Sequence, residues 1–165
     1  MIIIFAVIIS FFLESISSNF ISMDSILFLP LFTIVSLVII YPFFNKKEID
    51  YLKICGIFGL LYDIVYTDTL SLHLLLFVIL GYIITKINNI LNTNYLSLCL
   101  MIPIVIIIYR FCSYGILCLS GFLTFSWTNL GMSVTSSILL NVIYGEILYF
   151  ITDKLAKKLK IYKVD

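Results

Sequence analysis

Charge is what this 165-residue chain has least of: 12% of its residues are Asp, Glu, Lys or Arg, about half the share of an ordinary soluble domain. Nine acids and ten bases are too few to cover a soluble protein of this size with polar surface. The other scarcities exclude further classes. One histidine, and four cysteines without CxxC spacing, leave no metal-ligand or redox motif. Cys55, Cys99, Cys112 and Cys118 sit in apolar runs and read as buried thiols. Three prolines and seven glycines exclude a low-complexity or collagenous chain. No Ser/His/Asp arrangement, HExxH or phosphate-binding glycine loop is present. No cofactor, metal site or catalytic residue is therefore expected. The lysines form no face along which a nucleic-acid backbone would run.

Apolar residues are abundant instead, at 62%, with a mean hydropathy of +1.19. Lipid accepts the apolar surface that water rejects, so the chain reads as an integral membrane protein. Six apolar segments are legible, at residues 2–16, 26–44, 52–66, 70–86, 95–115 (or on to 122) and 132–152. The expected fold is all-α, a compact bundle of about six transmembrane helices over residues 1–152 followed by a basic tail, 153–165. The first segment has no Lys or Arg ahead of its apolar run and is read as a retained helix rather than a cleaved signal. The third, the first and the fourth segments are short for a span of about 20 residues. Pro30 is expected in the first turns of segment two, and Pro103 is expected to kink segment five. Only Thr67-Asp68-Thr69 separates segments three and four, which reads as a tight turn with Asp68 as a helix cap, hence an antiparallel hairpin.

The distribution of charge orients the bundle. With the N-terminus in the cytoplasm, the loop at 45–51, Lys53, Lys86 and the tail all lie inside, and every lysine with them. The loops at 17–25, 67–69 and 123–131 contain no Lys or Arg and lie outside, where Trp127 reads as an interfacial anchor. The tail lysines, Lys154, Lys157, Lys158, Lys160 and Lys163, recur with Leu155, Leu159 and Tyr162 at helical spacing. They anchor the topology and face anionic lipid, with each lysine contributing about 1 kcal/mol near the surface.

Four ionisable residues interrupt the apolar segments: Glu14, Asp63, Arg110 and Glu146. Each costs roughly 2.5–3.5 kcal/mol at a helix centre and is expected to face the bundle interior. At a rise of ~1.5 Å per residue, Asp63, Glu14 and Arg110 stand about 15, 18 and 22 Å from the cytoplasmic ends of their segments, and Glu146 about 9 Å. The first three therefore form an expected polar cluster, with Arg110 paired to Asp63, Glu14 or both through its bidentate fork. A structural cluster, a partner-binding site, and a transport or catalytic role are all open readings of it. His73 reads as an interfacial side chain.

One string is specific: Gly56-Ile57-Phe58-Gly59-Leu60-Leu61-Tyr62-Asp63, then Thr67-Asp68-Thr69-Leu70-Ser71-Leu72-His73. Gly56 and Gly59 give segment three a small face for close helix approach, and Asp63, four residues beyond Gly59, shares it. Ser71 is small enough to continue that packing. The string, with Pro30 opening segment two and the short basic tail, resembles the MreD family, the rod shape-determining membrane proteins of the bacterial cell-wall elongation machinery. Ser71 stands where the family usually has Gly, and Leu31 follows Pro30 where a polar residue is common. The resemblance implies a non-enzymatic scaffold in the bacterial cytoplasmic membrane. It would bind the single-span partner MreC and connect MreB filaments to the peptidoglycan transglycosylase and transpeptidase. From the small-residue spacing itself, the face of Gly56, Gly59, Asp63 and Ser71 is the expected helix-packing and partner face, with the outer charged cluster fixing its geometry. Two other classes fit the size: the substrate-binding membrane subunit of an energy-coupling-type vitamin transporter, for which Ala6 and Ser10 only weakly echo the small-residue motif, and a small membrane enzyme or proton-coupled transporter.

The lysine asymmetry makes a direct prediction. Reporter domains fused to either terminus are expected to be active only in the cytoplasm, and a reporter placed in the 123–131 loop only outside. Termini that report from opposite sides would refute the even span count, and both reporting from outside would refute the orientation.

Overall fold

Long apolar runs without internal Gly-Pro punctuation favour helices, and in lipid a helix satisfies its backbone within one segment. The computed structural model describes residues 2–20, 29–44, 47–67, 71–90 and 95–159. These hold six helices and no strand: α1 (Ile2–Phe20), α2 (Phe32–Ile40), α3 (Glu48–Tyr62), α4 (Leu72–Ile90), α5 (Tyr95–Leu119) and α6 (Trp127–Lys158). The cap expected at Asp68, the first turns expected from residue 26, and Lys46, Lys160 and Lys163 lie outside the described residues.

Two helices, Ser97–Leu119 and Trp127–Lys158, are long and apolar enough to cross a membrane, and the apolar stretches Ile4–Ser18, Phe32–Phe44 and Leu72–Asn88 are shorter. α5 runs helical through Pro103. α6 starts at Trp127, five residues before the expected boundary, so Trp127 opens a helix rather than sitting in a loop.

α2 is the axis. Every one of its residues is buried, with α1, α4, α5 and α6 packed around it. It is also short: nine residues rise only ~13 Å, and the chain then tightens into a 3-10 turn, Tyr41–Phe44. Pro42 explains the tightening, since it has no N–H for the next α-helical bond and its ring crowds the carbonyl four residues back. Pro30, expected in the first turns of this segment, lies ahead of the helix instead, because the backbone from Leu29 to Leu31 is not helical. The helix therefore begins deep in the bundle.

The outer helices carry apolar rows at helical spacing on their exposed faces. Examples are Phe5, Ile9, Phe12 and Ile16 on α1, and Leu139, Ile143, Ile147 and Phe150 on α6. Such rows would aggregate in water and are at ease against lipid tails.

α3 and α4 form the expected antiparallel hairpin, packed more closely than any other pair. Glycine allows this. A Cβ added at Gly59 would lie 2.5 Å from the His73 carbonyl oxygen and 2.7 Å from Leu74 Cα, both backbone atoms. At Gly56 the nearest atom is Val78 Cγ2, at 3.4 Å. Gly81 on α4 does the same from the other side, against Cys55 Sγ at 2.7 Å. Beyond Tyr62 the helix widens into a π-helical turn, Asp63–Thr67. The chain re-enters α4 through Ser71, whose φ of 69° lies in the left-handed region that favours glycine. Ser71 is exposed at this turn, so it does not continue the packed face as expected; the reversal places it ahead of the contact between the two helices.

The two glycines make a paired test. Gly59→Ala is expected to lower stability by about 1–3 kcal/mol, because the obstructing atoms are backbone and the helices must separate. Gly56→Ala is expected to change it by less than about 0.5 kcal/mol, with ordinary contact and a better helix former in place. Unfolding midpoints in detergent would separate the two cases.

Candidate functional site: two buried carboxylates at helix starts

The first N–H groups of a helix have no partner within the helix. α2 starts among buried residues, and Leu31, at its N-cap, offers no capping side chain; α4 starts just past the exposed Ser71, with His73 already buried. The missing acceptors come from the preceding helix in each case. Glu14 on α1, 1% exposed, accepts the Thr33 N–H at 2.8 Å and the Thr33 hydroxyl at 2.6 Å through Oε2. Its Oε1 accepts the Tyr62 hydroxyl from α3 at 2.9 Å. Asn141 on α6 completes the start of α2: Oδ1 accepts the Leu31 N–H at 2.7 Å, and Nδ2 donates to the Leu29 and Ser137 carbonyls. Near the other end of α2, the Tyr51 hydroxyl donates to the Leu37 carbonyl at 3.1 Å.

Asp63 repeats the arrangement at α4. Its Oδ1 accepts the His73 N–H at 2.9 Å and its Oδ2 the Leu74 N–H at 3.0 Å. The His73 ring bonds the same carboxylate through Nδ1 at 2.9 Å. This geometry calls for a proton on Nδ1, which donates to Oδ1. His73 is buried and packed among the tilted or edge-on rings of Tyr62, Phe77 and Tyr109, which corrects its reading as an interfacial side chain. Tyr62 also stacks on Tyr66, whose hydroxyl donates to the Phe11 carbonyl at 2.7 Å. Both acids are thus helix caps in trans, with their carboxyl oxygens at the positive end of the helix dipole.

Arg110 does not make the expected pairs. Its Nε donates to Ser137 Oγ on α6 at 2.8 Å, and among the described residues no ion pair joins it to Glu14 or Asp63. The physical reason is competition: fixed backbone N–H groups at a helix start are donors already desolvated by folding, and they sit closer to each carboxylate than a side chain from α5. Glu14, Asp63 and Arg110 therefore meet a common set of rings without a salt bridge between them: Tyr62 bonds Glu14, His73 bonds Asp63 and packs against Tyr62 and Tyr109, and the Arg110 guanidinium lies 5.9 Å from the Tyr109 ring centre. Glu146 departs further: it is exposed on α6, with the Cys99 thiol donating to it at 3.8 Å, so it does not face the interior.

The glycine face is occupied within the chain. Gly59 and Asp63 are buried against α4, so the face expected to receive a partner holds the protein's own hairpin together. Of the tail lysines, Lys154, Lys157 and Lys158 lie on the last turns of α6. Asp153 bonds Lys157 at 2.7 Å and holds its ammonium above the usual lysine range. Among the described residues no group of His, Cys, Asp and Glu is placed to hold a metal ion.

Thr33, Tyr62, Ser137 and Asn141 were not singled out from the sequence. Two signals point to them in retrospect: an apolar helix start without a Ser, Thr, Asp or Asn cap, and hydrophilic residues four apart at Ser137 and Asn141 in an apolar segment.

Comparison with known proteins assigns the chain to one family. The family described as rod shape-determining protein MreD matches residues 1–159. No curated protein and no solved structure matches the chain.

The caps predict a ranking. Glu14→Leu leaves the Thr33 N–H without an acceptor and is expected to destabilise by about 2–4 kcal/mol. Glu14→Gln keeps an acceptor for Thr33 and is expected to stay within about 1 kcal/mol. Asp63→Asn turns a donor toward one of two backbone N–H groups and falls between them. Arg110→Gln is expected to cost less than Glu14→Leu, since no carboxylate depends on a bond to it. Chemical unfolding of the four purified variants checks the order.

Proposed function

The chain belongs to the MreD family of rod shape-determining membrane proteins, and from that premise we propose that it is a non-enzymatic scaffold of the cell-wall elongation machinery. In this reading it binds an MreC-like single-span protein and connects MreB filaments with the peptidoglycan transglycosylase and transpeptidase. Six segments of the chain cross the bacterial cytoplasmic membrane, the second as the whole 29–44 stretch around the short α2, with both termini inside. The lysine asymmetry supports that orientation, and the exposed apolar rows support lipid contact on the outer helices.

The observation that carries the scaffold reading is the use of the two buried carboxylates. Each accepts three hydrogen bonds and is committed to a helix start: Glu14 through the Thr33 N–H and hydroxyl, with Tyr62 on α3 as its third donor, and Asp63 through the His73 and Leu74 N–H groups and the His73 ring. A proton relay needs acids that exchange protons with a path; these hold helices in register. The partner's contact falls on the exposed apolar rows, and Gly59 and Asp63 act on it by fixing the α3/α4 hairpin.

Two measurements test the proposal together. In a rod-shaped bacterium relying on this chain, depletion is expected to round the cells, and the tagged chain is expected to co-purify an MreC-like single-span protein. Normal rods on depletion, with folded protein recovered free of that partner, would refute it.

A further inference from the structure

Outside the capped core, a groove of about 330 Å³ runs between α1 and α6, a volume within the range of ligand sites. Buried Thr152 and Ala156 form its floor, and half-exposed Ile9, Ile151 and Leu155 line its walls. Its two hydroxyls are already engaged: Thr152 Oγ1 donates to the Leu148 carbonyl at 2.9 Å, and the Tyr144 hydroxyl is bonded to Ser10 Oγ at 2.7 Å. The groove therefore offers an occupant hydrocarbon contact and no hydrogen bond.

Its dimensions narrow the choice. On α6 the lining extends from Tyr144 to Leu159, about 22 Å of helix, enough to span one leaflet of a hydrocarbon core ~30 Å thick. A second helix of that length, ~10 Å or more across, has several times the groove's volume. A single acyl chain suits it.

One end of the groove is basic. Leu155 and Leu159 line that end, and the residues just before them, Lys154 and Lys158, are exposed. Lys157 is engaged by Asp153, whereas Lys154 and Lys158 make no ion pair among the described residues. Two ammonium groups thus stand beside the mouth of a hydrocarbon slot, at the end of α6 where the apolar sequence gives way to charge.

We propose that the α1/α6 groove, with Lys154 and Lys158, is a binding site for an anionic phospholipid, one acyl chain in the groove and the phosphate at the two lysines. The site does not depend on the scaffold reading.

The full-length protein, stripped of lipid in detergent, is titrated with dioleoylphosphatidylglycerol and with dioleoylphosphatidylcholine, and bound lipid is counted by native mass spectrometry. The wild-type protein is expected to prefer the anionic lipid. Lys154→Gln with Lys158→Gln is expected to weaken its binding roughly 10- to 30-fold, the effect of two lysines near an anionic headgroup, with little change for phosphatidylcholine. Ile9→Trp fills the groove from a half-exposed position and is expected to weaken both lipids; Ala6→Leu is the second filler should the first fail to fold. Equal binding of the two lipids by the wild type overturns the proposal. So does an anionic preference that survives the lysine substitutions. A preference untouched by a folded groove-filled variant belongs to the tail charge alone and overturns it as well.

Discussion

A helix that begins inside an apolar bundle exposes backbone N–H groups where no water can take them, and this structure depends on how those groups are satisfied. α2 begins in this way, whereas α4 follows an exposed turn at Ser71 and buries its first N–H groups from His73 on; each receives a carboxylate from the segment before it in sequence. A carboxylate is the strongest acceptor available for the purpose, since hydrogen bonds to a charged group are about twice as strong as neutral ones. Because the acceptor and the donors belong to different helices, each cap also fixes one helix against another. Glu14 ties α1 to α2, and through Tyr62 to α3; Asp63 ties the end of α3 to the start of α4.

Close packing and capping require each other at the hairpin. Asp63 reaches His73 and Leu74 only because the backbone of α4 comes against Gly59, and there it lies at a distance that no Cβ would permit. Lipid supplies little hydrophobic drive for helices to associate, so small residues and interhelical hydrogen bonds carry that role. The π-helical turn beginning at Asp63 lies where the helix must re-aim its carboxylate toward the next helix; such turns often mark functional positions.

The same logic separates the polar groups by role. Glu14, Asp63 and Asn141 are internal to the frame and fully bonded. Arg110, on Ser137, and Glu146, exposed near Cys99, stand outside that frame. A family of shape-determining membrane proteins is well served by such a division, with a rigid interior and an apolar exterior available to lipid and to other membrane helices. Transporters point helix starts buried in the bundle at anionic substrates; here the chain's own glutamate occupies that position at α2.

Much of this was legible in the residues. Hydropathy marks the helices, Thr67-Asp68-Thr69 marks the hairpin, the glycine spacing marks its tight face, and the scarcity of charge shows that Glu14 and Asp63 must be satisfied internally. Which donors satisfy them was not legible. Sequence shows side-chain charges, so Arg110 stands out as the matching cation, whereas an unsatisfied backbone N–H has no letter of its own. It becomes a donor only where a helix starts, and α2 starts at Phe32, after a non-helical stretch from Leu29 to Leu31. Sequence alone determined that this protein lives in lipid and that its few buried charges need partners. Only the fold decided that those partners are helix ends, because a desolvated backbone must be bonded wherever packing places it.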